Sequence, residues 1–300
     1  MKNWIEAIRL RTLPLSIAGI ITGGAMAYHE NPIKLNLTVF LLAIVTALLL
    51  QILSNFANDY GDFKNGADNE NRNGPTRAVL SGAITENAMK KAIVMTSIIT
   101  LFVGTTLLFF AFKNINLTFI VYFFIGLACI VAAIKYTMGK NPYGYKGLGD
   151  IFVFVFFGLV ASVGTYFLLL NSISLSVFLP AISIGAWSTA VLNLNNLRDL
   201  DNDRVTGKIT IPVRIGRRGG IIYHTALISI PFIANSLYAL ANKNLLLLVL
   251  TGVSLVIAVL IFKPLFKNPS HQILDGLLKK TALFALLFTL LFLIGVCFVV

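Results

Sequence analysis

Charged side chains are scarce in this sequence: Asp, Glu, Lys and Arg make up 12% of its 300 residues. Soluble domains usually carry about 25% charged residues. Hydrophobic residues make up 57% of the chain, and the mean hydropathy is +0.85. A soluble globule of this size lacks the interior volume to bury so much apolar surface. The composition therefore excludes a disordered chain, argues against a soluble globule and favours a polytopic membrane protein.

Cysteine is almost absent, and the common nucleotide-binding and hydrolase motifs are missing. Cys129 and Cys297 both lie in apolar stretches, which is typical of free core thiols, and two cysteines exclude a disulfide scaffold. The sequence has no P-loop pattern and no Gly-x-Ser-x-Gly motif. The histidines His29, His224 and His271 are scattered and do not form a metal-binding set.

Nine apolar runs are long enough to cross a membrane. They lie near 12–28, 37–53, 92–112, 117–134, 151–170, 175–192, 221–241, 244–262 and 281–300. Backbone polar groups cannot stay unpaired in lipid, so we predict that all nine runs are helices. The predicted fold is all-α: a polytopic membrane protein with nine transmembrane helices in one bundle, built from two four-helix-like halves. The whole chain, 1–300, is predicted to form a single domain.

The basic residues are distributed unevenly, and this distribution predicts the orientation. The net charge is +12, and all but three of the 24 Lys and Arg residues lie in the N-terminal segment or in the long loops on one side. The exceptions are Lys34, Lys113 and Lys243. Lys and Arg accumulate on the cytoplasmic side of membrane proteins. We therefore expect a multi-pass protein of the inner (plasma) membrane with its N-terminus and long loops in the cytoplasm, and no nucleic acid partner.

Acidic residues are concentrated in two clusters, each where a predicted helix ends toward the cytoplasm. In the first cluster, Asn55, Asp59 and Asp62 are three or four residues apart, so on a helix they share one face. Stacked carboxylates near a membrane repel one another unless a cation offsets their charge. Magnesium prefers such oxygen ligands and usually takes one or two carboxylates together with substrate phosphates. The alternative is a set of plain solvated helix caps.

The second cluster repeats the first after four more predicted helices. Asn196, Asp199 and Asp203 have the same helical spacing, and a segment of the Gly-Pro-Arg type follows each cluster, at 74–77 and at 207–214. An internal repeat of four-helix halves places both clusters on the same side of the membrane. Two facing acidic stripes would suit a metal-bridged diphosphate.

Basic residues flank the two acidic clusters. Arg77, Lys135, Arg198 and Lys208 all lie in the loops that carry or adjoin them. Arg suits bidentate contacts to phosphate, and Lys acts as a point charge. The combination of acids, a metal and basic residues around a cavity is expected for a phosphorylated substrate. The cytoplasmic bias of basic residues is the alternative explanation for a part of this set.

Four stretches resemble the UbiA-type membrane prenyltransferases. Residues 55–82 and 195–216 are similar to the two Asp-rich regions of that family, 7–14 to its first helix, and 136–150 to its middle loop. Residues 74–79 resemble the branch whose acceptor is 1,4-dihydroxy-2-naphthoate, in menaquinone biosynthesis. Gly66 stands where the family often has a third Asp. The resemblance leaves open whether Asp68 or Asp201 contacts metal.

The resemblance implies a Mg²⁺-dependent reaction in the lipid bilayer. An all-trans polyprenyl diphosphate would bind through Mg²⁺ to both Asp-rich regions, the allylic C–O bond would break, and an aromatic carbon would capture the prenyl group. With 1,4-dihydroxy-2-naphthoate as acceptor, CO2 leaves and demethylmenaquinol forms. The substrates are then a polyprenyl diphosphate and an aromatic acid, and no obligate protein partner is implied.

The family pattern also implies a role for each candidate residue. The expected magnesium ligands are Asn55, Asp59, Asp62, Asp199 and Asp203. The residues expected to bind the diphosphate are Arg77, Lys135, Arg198 and Lys208. Tyr136 and Tyr143 are expected to act in catalysis by facing the allylic cation with their ring quadrupoles; the alternative is that they are ordinary interfacial tyrosines.

Two alternative functions stay open at this point. A UbiA-type enzyme could use another acceptor, such as 4-hydroxybenzoate, homogentisate or haem. A secondary transporter, from a different class, would also have an internal repeat and buried acids, but its sites usually lie near the membrane midplane rather than at helix ends. Magnesium-dependent prenyl transfer by the purified protein would distinguish the two classes.

Overall fold

The computed structural model of the protein describes residues 1–69, 74–267 and 269–298. Within these residues the regular structure is helical, without strands, and nine helices are long and apolar enough to cross a membrane. They are labelled in chain order α1 Lys2–Glu30, α2 Leu37–Lys64, α3 Glu86–Phe112, α4 Leu117–Lys135, α5 Gly149–Leu170, α6 Leu175–Arg198, α7 Ile211–Ala241, α8 Leu245–Phe266 and α9 His271–Cys297. The all-α prediction with nine membrane helices is confirmed.

The helices extend further at the predicted cytoplasmic end than the apolar runs indicate. Helix α2 continues past residue 53 to Lys64, and α6 continues past residue 192 to Arg198. Polar residues can stay helical once the helix leaves lipid, because the backbone bonds are satisfied within the helix. As a result Asn55, Asp59 and Asp62 lie on the last turns of α2 rather than in a loop.

Asparagines fix the helix starts at the opposite end of the bundle. The side chain of Asn36 accepts hydrogen bonds from the backbone N–H groups at the start of α2, and Asn116 and Asn244 do the same for α4 and α8. An N-cap of this kind satisfies backbone donors that have no partner within the helix. Short turns therefore join α1 to α2, α3 to α4 and α7 to α8 on this side.

Helix α6 lies in the middle of the bundle. It packs against α5, α7 and α9, and Gly158 of α5 lies so close to Gly185 that a Cβ on Gly158 would be 2.6 Å from the Gly185 Cα. Trp187 of α6 is fully buried and contacts an aromatic cluster formed by Phe232, Phe262, Phe284 and Phe288. Helix α2 packs mainly on α3, as α6 does on α7, which is the relationship that two four-helix halves predict.

Candidate active site

A cavity of about 350 Å³ lies between helices α1 to α6 and falls within the usual size range of ligand pockets. One end is polar, and Arg9, Asn58, Asp62, Arg77 and Lys208 line it. Apolar side chains line the remainder. Along α4 the wall runs from Tyr136 to Tyr122, which at 1.5 Å per residue corresponds to about 20 Å. The cavity thus suits a long apolar ligand that carries a charged head group.

Asp62 is the meeting point of three separate segments at the polar end. Its Oδ1 accepts a hydrogen bond from the Tyr145 hydroxyl at 2.8 Å and lies 3.3 Å from Lys208 Nζ. Arg77 Nη2 lies 3.9 Å from Asp62 Oδ2. Of the four predicted catalytic aspartates, Asp62 is the one whose side chain lines the cavity. This acid, at the end of α2, therefore contacts the middle loop, the segment after α6 and the loop between α2 and α3.

The two Asp-rich regions face each other across Tyr145. Burial and the carboxylates of Asp62, Asp68 and Asp203 raise the pKa of Tyr145, and Asp62 accepts the hydrogen bond of its hydroxyl. Asn202 adds a direct link, because its side-chain N–H donates to the backbone carbonyl of residue 67 at 2.8 Å. Lys208 lies 5.1 Å from the centre of the Tyr145 ring. The structure therefore brings together the two Asp-rich regions, which four helices, α3 to α6, separate in the sequence.

Asp59 points toward the loop between α2 and α3. Its carboxylate accepts backbone N–H groups from Ala78 at 3.2 Å and from Val79 at 3.4 Å. Both residues directly follow Arg77, whose Nε is 3.3 Å from Asp68 Oδ2. Asp59 therefore holds the segment that places Arg77 at the cavity. Residues 70–73 of this first Asp-rich region lie outside the described residues.

The second Asp-rich region differs from the predicted continuous stripe. Helix α6 ends at Arg198, the backbone of Asp199 leaves helical geometry, and a short helix begins at Leu200. Asp199 and Asp203 consequently do not share the face of one helix with Asn196. At this break the Asp199 carboxylate pairs with the guanidinium of the preceding residue, Arg198, at 2.7 and 2.8 Å.

Arg198 lies inside the protein and not in the cavity wall. Its side chain has no exposed surface, and all three of its guanidinium nitrogens contact protein oxygens. Besides Asp199, these partners are Asn195 at 2.8 Å and Asp275 at 2.5 Å. With these donors engaged, the predicted role of Arg198 in binding diphosphate finds no support in its position. Arg198 instead orients Asp199.

The other predicted residues divide between the wall and the exterior. Asn55 lines the cavity, and its amide donates to the Ile8 carbonyl at 2.7 Å, which ties α1 to α2. Tyr136 and Tyr143 line the cavity with ring centres 5.4 Å apart. Lys135 is exposed and is not part of the cavity wall. The position of Lys135 therefore gives no support to a contact with diphosphate.

Several site residues were missed by the sequence reasoning. Tyr145 lies in the segment 136–150 that resembles the middle loop of the family, but the sequence predicts no role for it. Arg9 and Arg11 line the cavity. From the sequence, these two residues contribute only to the basic bias that predicts the orientation in the membrane. Arg9 has φ 56°, in the left-handed region, which non-glycine residues adopt rarely and which often marks a functional site. Asp275 has no nearby acidic neighbour in the sequence, so no pattern pointed to it.

A metal ion would need oxygens from the substrate as well as from the protein. Across residues 1–69, 74–267 and 269–298, no three His, Cys, Asp or Glu side chains converge closely enough to hold a metal by themselves. The donor chemistry is still that of a hard cation, because the Asp62 carboxylate lies at the cavity wall and the carboxylates of both Asp-rich regions act on the pKa of Tyr145. Mg²⁺ commonly uses one or two carboxylates and completes its shell with phosphates and waters. The residues thus fit a diphosphate-bound magnesium.

Comparison with known proteins identifies the family. The family described as "UbiA prenyltransferase family" matches residues 16–273. The chain belongs to this family. It is 44% identical over 242 residues to the 1,4-dihydroxy-2-naphthoate octaprenyltransferase of Haemophilus influenzae, covering 81% of this chain and 78% of that protein. It is 38% identical over 296 residues to the Escherichia coli (strain K12) protein of the same name, covering 98% and 94%.

Solved structures show the same UbiA fold. A UbiA homolog from Archaeoglobus fulgidus, bound to GPP and Mg²⁺, superposes with a TM-score of 0.65 at 14% identity, covering 97% of this chain and 99% of that one. At that identity the likeness concerns the fold alone. Membership of a UbiA prenyltransferase family favours the enzyme over the alternative of a secondary transporter.

Proposed function

We propose that this UbiA family member transfers a polyprenyl group from an all-trans polyprenyl diphosphate to 1,4-dihydroxy-2-naphthoate, with loss of CO2. The observation that carries the proposal is the meeting of both Asp-rich regions at the polar end of a long apolar cavity. The choice of acceptor is supported by relatives named 1,4-dihydroxy-2-naphthoate octaprenyltransferase at 38–44% identity. 4-Hydroxybenzoate, homogentisate and haem are the competing acceptors.

Arg77 and Lys208 are the proposed diphosphate-binding residues. Both line the cavity, and both contact Asp62, so their charges are held at the polar end. When the allylic C–O bond breaks, its electron pair stays with the departing diphosphate and increases the negative charge there. Fixed cations stabilise that charge most strongly in the transition state, which accelerates the bond cleavage. Lys135 and Arg198 are not included in this set because of their positions.

The magnesium dependence is proposed on the acidic residues of both regions. Asp62 and, from the facing region, Asp203 would offer carboxylate oxygens. Asn55 lies about two helical turns before Asp62 on α2 and also lines the cavity. Asp59 and Asp199 accept hydrogen bonds from loop amides and from Arg198, and these bonds occupy a part of the acceptor sites that a metal would use. The bound metal would supply positive charge that neutralises the leaving diphosphate.

The apolar part of the cavity would hold the isoprenoid chain and its reactive end. Tyr136 and Tyr143 line the same cavity as Asp62. Burial raises the pKa of both tyrosines, so they stay neutral at physiological pH. Neutral aromatic rings stabilise a nearby cation through their quadrupoles, which suits the allylic cation that forms at C1. The acceptor carbon then forms the new C–C bond, and CO2 leaves from it.

The remaining assignments concern the whole chain. We propose that residues 1–300 act as one prenyltransferase domain in the inner (plasma) membrane, with the N-terminus and the Asp-rich regions in the cytoplasm. The excess of Lys and Arg on that side supports this orientation. Labelling of single cysteines placed at Asn31 and at Lys140 with a membrane-impermeant maleimide in intact cells tests it. Reaction at residue 31 and protection at residue 140 are expected.

A product assay tests the proposed activity. The purified protein is incubated with polyprenyl diphosphates of several lengths and with each of the four acceptors, in Mg²⁺ or in EDTA. We expect a decarboxylated, prenylated naphthoquinol in the presence of Mg²⁺ and none in EDTA. A product with 4-hydroxybenzoate alone would contradict the acceptor, and the absence of every prenylated product would contradict the enzyme class.

A further inference from the structure

The first and last helices are joined by an ion pair that continues to the second Asp-rich region. Arg11 Nη1 in α1 contacts the two carboxylate oxygens of Asp275 in α9 at 3.1 and 3.2 Å. The Asp275 Oδ1 also accepts from Arg198 Nη1 at 2.5 Å, and Arg198 binds Asp199 through two further nitrogens. Arg11 and Asp275 both lie outside residues 16–273, which match the family.

The end of α6 is fastened to the start of α9 by further contacts. His271 Nδ1 is 2.8 Å from the backbone carbonyl of Arg198, and Arg217 Nη1 donates to the carbonyl of residue 269 at 3.4 Å. These contacts fix the first turn of α9, and with it the backbone of Asp275, beside Arg198. The chain Arg11–Asp275–Arg198–Asp199 therefore has defined geometry at each link.

The burial of Arg198 explains why a second carboxylate is needed. Its guanidinium stays charged at any pH that the protein meets, and its side chain has 0% exposed surface. A buried charge that loses its partner is strongly destabilising. If Asp199 were the sole anionic partner, Arg198 would resist the release of Asp199 to any other ligand. Asp275, whose side chain is 33% exposed, gives Arg198 an anionic partner that can remain in place.

We propose that Asp275 is a positioning residue for prenyl transfer. Its carboxylate balances the charge of Arg198 while Asp199 binds the magnesium diphosphate of the substrate. It also holds Arg11 at the cavity wall. This inference rests on the proposed function, because it concerns the binding of a prenyl diphosphate. It predicts that a residue near the start of the ninth helix controls how the second Asp-rich region receives its ligand.

The test compares Asp275→Asn with Glu86→Gln. Glu86 is a suitable control because it is an acid paired with one cation, Lys64, at 2.6 Å, while its side chain is 39% exposed and lies outside both Asp-rich regions. Calorimetry measures the affinity for geranyl thiolodiphosphate, a non-reactive analogue, in the presence of Mg²⁺. We expect Asp275→Asn to weaken binding about tenfold, as for the loss of one coupled charge contact, and Glu86→Gln to change it less than about twofold. Equal affinities in the two variants would overturn the proposal.

A double-mutant cycle shows whether Asp275 acts through Asp199. In an Asp199→Asn background, Asp275→Asn should have almost no further effect on analogue affinity, since the group that it positions is gone. A loss of the same factor in both backgrounds would overturn the proposal, as would a lower unfolding temperature with unchanged affinity. Asp275→Glu, which keeps the charge, should recover most of the affinity, and a loss equal to that of Asn would also overturn it.

Two further measurements keep the test decisive. If Asp275→Asn does not fold, Arg11→Gln combined with Asp275→Asn removes both charges, and the combined variant should bind the analogue about tenfold more weakly than Arg11→Gln alone. An equal affinity of these two variants would overturn the proposal. If the wild type binds the analogue but forms no prenylated product, the proposed function fails, and the binding cycle still decides the role of Asp275.

Discussion

Lys208 Nζ lies 3.3 Å from Asp62 Oδ1, and this contact joins a cation of the second Asp-rich region to an acid of the first. Both side chains are almost completely buried. A buried ion pair is retained at a desolvation cost, so its presence at the head of a cavity indicates a site that is ready for a charged ligand. Substitution of Asp62 and of Lys208 should therefore have different effects on prenyl transfer.

Asp62→Asn should lower kcat at least about a hundredfold, because it removes a proposed carboxylate ligand of the Mg²⁺ that would neutralise the departing diphosphate. The substitution keeps the size of the side chain. Glu86→Gln is the matched control, because Glu86 forms an ion pair with Lys64 on the surface, away from the cavity. The rate of prenyl transfer and the unfolding temperature are measured for both purified variants. Normal turnover by Asp62→Asn would show that this acid is dispensable.

Lys208→Met should raise the KM for the prenyl diphosphate about tenfold to a hundredfold and leave the KM for the aromatic acceptor within about threefold, since a fixed cation contact to an anion is lost. Asp62 retains its contacts with Tyr145 and Arg77 in this variant. Lys146→Met, at an exposed position, controls for the loss of one positive charge. A selective rise in the acceptor KM would contradict the assignment of Lys208 to diphosphate.

Gly61→Ala should destabilise the protein by about 1–3 kcal/mol, as expected for overpacking at a close contact. A Cβ on Gly61 would lie 2.7 Å from the backbone carbonyl of Thr137, so the middle loop would have to move away from Asp62. Gly252→Ala is the matched control in α8, where a Cβ meets nothing within 4 Å. In detergent the unfolding temperature of Gly61→Ala should be lower than that of the wild type, and that of Gly252→Ala should not. Equal unfolding temperatures of the two variants would contradict this account.

Stability should fall as the pH rises above about 10, the value at which a free phenol ionises. Burial and the nearby Asp62 raise the pKa of Tyr145, so between the unfolded and folded pKa values the folded state binds more protons than the unfolded state. By linkage the free energy of unfolding then decreases with pH in that window, and the full contribution is present below it. Unfolding temperatures measured from pH 8 to 11.5 should fall less steeply for Tyr145→Phe than for the wild type. Parallel curves would contradict the prediction.

The sequence predicts the fold well because lipid leaves few alternatives. An apolar run of about 20 residues must be a helix, so the number of helices follows from composition alone. The ends of α2 and α6 do not follow from it, because their last turns are polar and resemble loops in a hydropathy profile. The helical spacing of Asn55, Asp59 and Asp62 is correct, since these residues do lie on one helix.

The sequence predicts which residues belong to the site but not which residues they contact. The acids and the flanking Arg77 and Lys208 were found from their clustering. Arg198 was assigned to the diphosphate because it is basic and close to Asp199, whereas the structure buries it between two carboxylates. Its partner Asp275 is 77 residues away in the chain, so a local pattern does not relate the two. Contacts that depend on which helices are neighbours in the bundle require the tertiary structure.

The position of Asp275 on the ninth helix has a consequence for biosynthesis. The ribosome synthesises the eight preceding helices before this carboxylate, so Arg11 and Arg198 have no shared partner until the ninth helix is made. The neighbourhood of Asp199 therefore reaches its final arrangement only when the ninth helix docks beside the first. An enzyme assembled in this order would become able to handle reactive diphosphates only after that docking.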